Sequence, residues 1–276
     1  MRIATWNVNS IRTRLNYVLA WLQAEMPEVV CLQETKVIDD LFPCQAFQSL
    51  GYECVVSGQK SYNGVAILSS LQISDVQVGF HTCLIDDHLL ANELSMQKRI
   101  ISASIEGVRI VNVYVPNGNS LKSDKYSYKL KWLECLGHHL QALHNDKEPL
   151  IVLGDFNIAL EDRDLHNPSR LTGGIMASEP EREGLLKALN GNFTDVFRVF
   201  EPDSGHWSWW DYRNGAWDQD KGWRIDHIYL DDILLDFITG CEIHKTQRGL
   251  ERPSDHVPVV VNMVWPPNKE ANEEVF

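Results

Sequence analysis

The run PLIVLGDFNIAL, Pro149 to Leu160, decides how the rest of this 276-residue chain is read. Leu150 to Leu153 is a short, wholly apolar and partly β-branched stretch between Pro149 and Gly154, as expected of a buried strand. It ends in Asp155, Phe156 and Asn157. Asp and Asn often end strands because their short side chains bond nearby backbone groups. Here, however, the strand period of two sends Asp155 and Asn157 to one side and Phe156 to the other. Gly154 lets another backbone or a ligand approach closely. A buried strand that presents two polar groups on one side requires partners elsewhere in the chain.

Working outward, strands and helices alternate. RIATWN reads as a strand, and Ser10 is placed to cap a helix in which Ile11, Leu15, Val18, Leu19 and Leu22 recur at helical spacing. VVCLQ (Val29 to Gln33), YECVVS and GVAILSS read as further strands, and IISASIEGVRIVNVYV as a hairpin about Gly107. A long helix is expected over Lys125 to His144, with Tyr128, Trp132, Leu133, Leu136, Leu140 and Leu143 on one face. A polar loop from Glu161 to Ser178, a short helix after Pro180, and strands at Ile225 to Leu230 and Val257 to Val264 complete the pattern. This order implies an α/β protein layered around more than one sheet. One catalytic domain over residues 1–265 is expected, with 266–276 as a loose polar tail.

Hydrophobic residues make up 44% of the chain and charged residues 23%, enough apolar material for a sizeable core. There is no apolar run of membrane-spanning length and no signal sequence, so a cytoplasmic protein with no membrane partner is expected. Cys31, Cys44, Cys54, Cys83, Cys135 and Cys241 form no C-x-x-C pair and read as reduced, buried thiols. The net charge of −13 argues against a broad basic surface that grips nucleic acid. Carboxylates gathered around a divalent metal would contribute to that charge and still attract phosphate once the ion is bound. Lys122, Lys125, Lys129 and Lys131 supply a local basic patch.

Polar residues recur where apolar strands stop or start. Asn7 ends TWNVNS, Glu34 follows VVCLQ, Tyr114 ends NVYV, Asp226 interrupts WRIDHIY, and Asp255 and His256 open DHVPVVV. Such positions on one rim of a packed sheet are where reactive groups gather. Glu34, Asp155, Asn7 and Asp255 offer the oxygen donors that suit a hard cation such as Mg²⁺. His256 beside Asp255 carries little weight alone, but an acid such as Asp226 within an apolar strand can fix an imidazole and stabilise its protonated form. His138-His139 and Asp86-Asp87-His88 lack strand context and read as surface polar groups. Trp207, Trp209, Trp210, Trp217 and Trp223 crowd into HWSWWDYRNGAWDQDKGWRID, interleaved with Asp211, Arg213 and Lys221, as in a stacking surface for bases or sugars.

Together TWNVNS, LQETK, NGVAIL, NVYVPNG, LGDFNIA, SWWDYR, RIDHIYL and PSDHVPV resemble the exonuclease III family of apurinic/apyrimidinic endonucleases, within the endonuclease/exonuclease/phosphatase superfamily. The resemblance implies a four-layer α/β sandwich, two mixed β-sheets packed face to face and flanked by helices, as in deoxyribonuclease I. It implies a Mg²⁺-dependent enzyme, with Mn²⁺ as a substitute, acting as a monomer. Its substrate would be double-stranded DNA bearing abasic sites or blocked 3′ ends. Tyr114, Asp155, Asn157, Asp226 and His256 would be catalytic, and Asn7, Glu34, Asp155, Asn157, Asp255 and His256 would surround the metal. Arg99, Trp209, Trp210 and Tyr212 would contact the substrate. Two other expectations compete: a phosphoesterase of the same superfamily acting on RNA, inositol phosphates or lipid headgroups, and a catalytically silent DNA-binding scaffold.

Overall fold

A computed structural model describes residues 1–80, 88–145 and 148–265. The chain opens with β1 (Arg2–Asn7), α1 (Ile11–Glu25), β2 (Val29–Gln33), α2 (Cys44–Gln48), β3 (Glu53–Ser57), β4 (Val65–Ser69) and β5 (Ser74–Val78). Next come α3 (His88–Ser95), the hairpin of β6 (Ile100–Ile105) and β7 (Val108–Tyr114), α4 (Asp124–Asn145) and β8 (Leu150–Asp155). The one-turn α5 (Pro168–Leu171), α6 (Glu179–Leu189), β9 (Phe193–Asp195), α7 (Val196–Phe200), β10 (Asp226–Asp231), β11 (Ile238–Ile243) and β12 (Val259–Met263) follow.

The strands form two six-stranded sheets, ordered β11-β12-β1-β2-β4-β3 and β5-β6-β7-β8-β10-β9. Both are mixed: β1 runs parallel to β2, and β7 to β8, with antiparallel neighbours on either side. Side-chain alternation divides the apolar residues into three layers. Ile3, Val29, Cys31 and Ile67 from one sheet meet Ile110, Ile151, Leu153 and Ile228 from the other in the central core. Trp132, Leu133, Leu136 and Leu140 of α4, with Leu185 of α6, pack on the outer face of the second sheet against Val111, Val113 and Val152. Val18, Trp21 and Leu22 of α1 cover the other outer face, against Ala4, Trp6 and Leu32. Each fully buried aliphatic side chain contributes about 1.5–3 kcal/mol to this packing. The helix–sheet–sheet–helix order is the expected four-layer sandwich.

The same alternation explains where the polar residues go. Along β1, Ile3, Thr5 and Asn7 face the opposite sheet, as do Val29, Cys31 and Gln33 on β2, and Ile151, Leu153 and Asp155 on β8. The inner face is therefore apolar at mid-strand and polar at one end. Gln33 donates across the sandwich to Asn112 Oδ1 at 2.8 Å, and Asn112 returns bonds to the carbonyls of Leu32 and Ala66 at 3.0 and 2.9 Å. Buried amides thus pin the two sheets together where the apolar core stops.

Several expectations change. Ser10 heads α1, but at φ 89° its side chain makes no capping bond; its N–H donates instead to Glu34 O at 2.7 Å. The strand at Leu150 ends at Asp155, so Asn157 does not share its side by strand period. Asn157 turns back through a left-handed conformation, φ 50°, while Phe156 is buried against the outer helical layer. The Glu161–Ser178 loop contains a 3₁₀ turn and α5, and α6 starts at Glu179 because Ser178 and Glu181 form a capping box that spans Pro180. β5, β9 and β11 were not foreseen. His138 is exposed as expected, but His139 is buried. Lys129 is also buried, so it takes no part in the basic patch. Of the cysteines, Cys31, Cys135 and Cys241 are buried, while Cys44 and Cys54 are only half-buried. Asp86, Asp87, the His88 side chain, Cys83 and the 266–276 tail lie outside the described residues.

Candidate active site

Register brings the polar strand ends together. Asp155 pairs with Tyr114 on β7 and with Asp226 on β10, and Asn7 with Gln33 on β2. Gly154 makes the first contact possible: a Cβ there would stand 1.9 Å from the Val113 carbonyl oxygen. The close approach anticipated for this glycine is to another backbone. Glu34 leaves β2 at φ 50°, which turns its carboxylate towards Asn7.

The groups join in one chain of contacts. Asn7 Nδ2 donates to Glu34 Oε1 at 2.9 Å and to Asp155 Oδ2 at 2.8 Å. Asn157 donates to Asp155 twice, from its backbone N–H at 2.9 Å and from Nδ2 at 3.2 Å. His256 Nε2 stands 3.7 Å from Asp155 Oδ2, and its Nδ1 meets Asp226 Oδ2 at 2.8 Å. Asp226 is fixed in turn by the hydroxyl of Ser208 at 2.6 Å. Six stretches of chain thus converge on one mouth between the two sheets.

The electrostatics are unbalanced. Burial, followed by Asp226 and Glu34, raises the Asp155 carboxyl to about 7 against the pull of His256 and Asn7. Burial opposes a charged His256, but Asp226 and Asp155 outweigh it and raise the ring to about 10, so the imidazole is cationic at neutral pH. Burial also opposes the Glu34 carboxylate, yet Lys36 at 2.7 Å and Asn7 hold its value down. Burial and the neighbouring Glu34 keep the Tyr114 phenol protonated, well above its usual value.

Glu34, Asp155, Asp226 and Asp255 gather four carboxyl groups about one mouth, with Lys36 on Glu34 and His256 between Asp155 and Asp226. Carboxylate oxygens are the ligand type that suits Mg²⁺. Asp155, Asp226 and His256 also hold ligand atoms within 4.8 Å of one another. Without an ion the three form a charge pair, and a metal bound there would take the place of the His256 proton.

The other expected residues are distributed around the mouth. Asp255 accepts from Trp209 Nε1 at 3.0 Å and from Asn9 at 3.0 Å, at the edge of the site. Trp209 lines a cleft of about 780 Å³ with Trp223, Asn117, Met176, His166 and Arg170. Trp210 is fully buried instead, its ring packed on Trp217 and its N–H on Asp220, so it cannot make the substrate contact expected of it. Tyr212 is half exposed and donates to Pro253 O at 2.8 Å. Arg99 lies 4.4 Å over the Tyr114 ring in a second cleft, of about 600 Å³, on the other side of Asn117. Trp223 of the expected aromatic stacking surface does line the cleft, and Asn117 and Ser208 join the site from within the motifs NVYVPNG and SWWDYR, where neither small polar residue stands out from an ordinary turn residue.

Comparison with known proteins agrees with this geometry. Residues 4–256 match the Endonuclease/Exonuclease/phosphatase family. The chain is 32% identical over 271 residues to exodeoxyribonuclease III of Haemophilus influenzae, covering 94% of this chain and 98% of that one. It superposes with a TM-score of 0.89 on a 3′ phosphatase from Neisseria bound to product DNA hairpin, at 37% identity and covering 96% and 100% of the two chains. An AP endonuclease from Archaeoglobus fulgidus gives a TM-score of 0.87 at 38% identity, covering 95% and 99%. A chain whose strand ends meet around Asp155 and His256 in this way, and whose matches span nearly its whole length, belongs to the endonuclease/exonuclease/phosphatase family, in its exonuclease III branch.

Proposed function

We propose that the protein is a divalent-metal-dependent DNA-repair phosphodiesterase whose catalytic domain spans residues 1–265. It incises double-stranded DNA 5′ to abasic sites and clears or degrades 3′ ends. The observation that carries this is the unbroken chain Glu34–Asn7–Asp155–His256–Asp226, which places a buried carboxylate and an imidazolium at one opening.

Asp155, held by three N–H donors, orients the attacking water and takes its proton. His256, kept cationic by Asp226, meets the negative charge that grows on phosphorus as the water adds. Tyr114, protonated and next to Asp155 in the sheet, donates to a phosphate oxygen, and Asn157 holds the scissile phosphate. Glu34, with Asn7, Asp155, Asn157, Asp255 and His256 around it, would hold Mg²⁺ (or Mn²⁺ as a substitute), which when bound would supply further positive charge to the phosphate. Trp209 and the cleft beside it receive the sugar, and Arg99 and Tyr212 flank the DNA.

The test is to incubate the protein with a duplex carrying one abasic analogue, a duplex with an intact recessed 3′ end, and one ending in 3′-phosphate. Each is run with Mg²⁺ and with EDTA. Hydrolysis of these ends with Mg²⁺ and none with EDTA is expected. Inertness towards all three, with turnover of an inositol phosphate, would replace this reading with that of a phosphoesterase of another branch.

A further inference from the structure

Lys129 is fully enclosed on α4, the one lysine buried among the described residues. Its Nζ donates to Glu181 Oε1 at 2.6 Å, to the Asn157 carbonyl at 2.7 Å and to the Asn117 carbonyl at 3.3 Å. An ammonium has three protons, so this set is complete. Each acceptor belongs to a different part of the site. Asn157 supports Asp155. Asn117 donates to Asn157 Oδ1 at 3.0 Å, approaches Met176 Sδ at 3.3 Å and lines both clefts. Glu181 accepts from the backbone N–H groups of Met176 at 3.0 Å and Ser178 at 3.1 Å, which ties down the loop beside Trp209. Gly118 leaves space for the lysine stem: a Cβ there would lie 3.2 Å from Lys129 Cδ and 3.1 Å from Ile175 Cδ1.

A buried ion pair is a poor source of stability, because desolvating both charges offsets most of their attraction. What this pair provides is geometry. We infer that Lys129, with Glu181, is a positioning residue that locks Asn157 and Asn117 to the Ile175–Ser178 loop, setting the hydrolytic carboxylate and the Trp209 cleft in one fixed arrangement. The inference rests on the function proposed above. It adds a residue that touches no substrate yet governs turnover.

The test compares the parent with the double variant Lys129→Met/Glu181→Leu, which removes both charges and keeps apolar bulk. Lys129→Met alone would strand a buried carboxylate and unfold the region. The double variant is expected to melt below the parent, because the Met176 and Ser178 N–H groups lose their acceptor, but to stay folded at the assay temperature, while kcat falls about tenfold or more and KM for a recessed 3′ end stays nearly constant, since small displacements in a preorganised site are costly. A purely structural pair predicts the opposite: a folded double variant with the parent kcat, which would overturn the inference. Should the double variant not fold, Glu181→Gln, nearly isosteric but uncharged, gives the second reading. A severalfold drop in kcat at constant KM is expected, and an unchanged kcat would again refute the role. Hydrolysis of bis(4-nitrophenyl) phosphate is followed in parallel, so that a parent inactive on DNA but active on this diester condemns the substrate assignment rather than the lysine.

Discussion

Two buried clusters of charge share the short segment Trp223–Asp226, and they behave in opposite ways. In the first, Arg224 meets Asp164 at 2.7 Å and grips Asp195 with two bonds at 3.1 and 2.7 Å, while Arg198 closes on Asp164. Burial alone would raise the Asp195 carboxyl, but the guanidinium outweighs it and holds the value far below the usual range. In the second, two residues on, Asp226 and Asp155 share the single imidazole of His256, and burial, with Asp226 and Glu34 adding to it, raises the Asp155 carboxyl to about 7. Burial is alike in both. The neighbours decide the direction: Asp195 is held by a bidentate guanidinium, whereas Asp155 has an imidazole 3.7 Å away and two further carboxylates beside it. A balanced cluster is mortar, whereas one left short of positive charge is built to receive it from outside the chain.

The sharpest way to break this contrast is to unbalance the first cluster. Arg224→Met leaves the Asp195 carboxylate without its guanidinium, while Asp164 keeps Arg198, and is expected to cost about 3–5 kcal/mol in urea denaturation. A loss below about 1 kcal/mol would mean that the cluster is no better paired than a surface salt bridge. Asp155→Asn does the reverse, removing charge where there is too much. It should lower turnover about a hundredfold or more without lowering the melting temperature at neutral pH. The sign follows from linkage: a carboxyl raised in the folded state favours folding when protonated, and that contribution is lost as pH climbs through about 7. The melting temperature of Asp155→Asn relative to the parent should therefore be higher at pH 8 than at pH 5, and a gap independent of pH would contradict the shift.

The smallest effect lies in the pH–rate profile. Activity should rise as Asp155 loses its proton near 7, a limb that bound cation moves to lower pH, and fall as His256 loses its own near 10. Asp226→Asn removes the carboxylate that favours the imidazolium, so the alkaline limb should move to lower pH. An unmoved limb would separate His256 from the decline.

The site was largely legible because each reactive residue ends or interrupts a run whose apolar alternation is strong. Asn7, Asp155 and Asp226 could be placed from Ile3, Leu153 and Ile228 alone. The less visible parts depended on context. β5 is an edge strand with most of its residues exposed, and β9 has three residues, so neither carries a hydrophobic period. Lys129 reads as a surface charge because nothing local announces Glu181 fifty-two positions later. Trp209 and Trp210 cannot be ranked from their letters. One faces the cleft, and its neighbour is turned inward against Trp217, as successive residues of an extended segment are.

Gly154 also bears on how the molecule is assembled. Slid one residue along β7, β8 would press the side chain of Leu153 or Asp155 against the Val113 carbonyl, where not even a methyl group fits. The same slip would swing Asp155 into the hydrocarbon layer of Trp132 and Leu133. Misalignment is thus penalised twice, so folding itself proofreads the strand pairing, and a chain that reaches a compact state arrives with its reactive carboxylate already aimed.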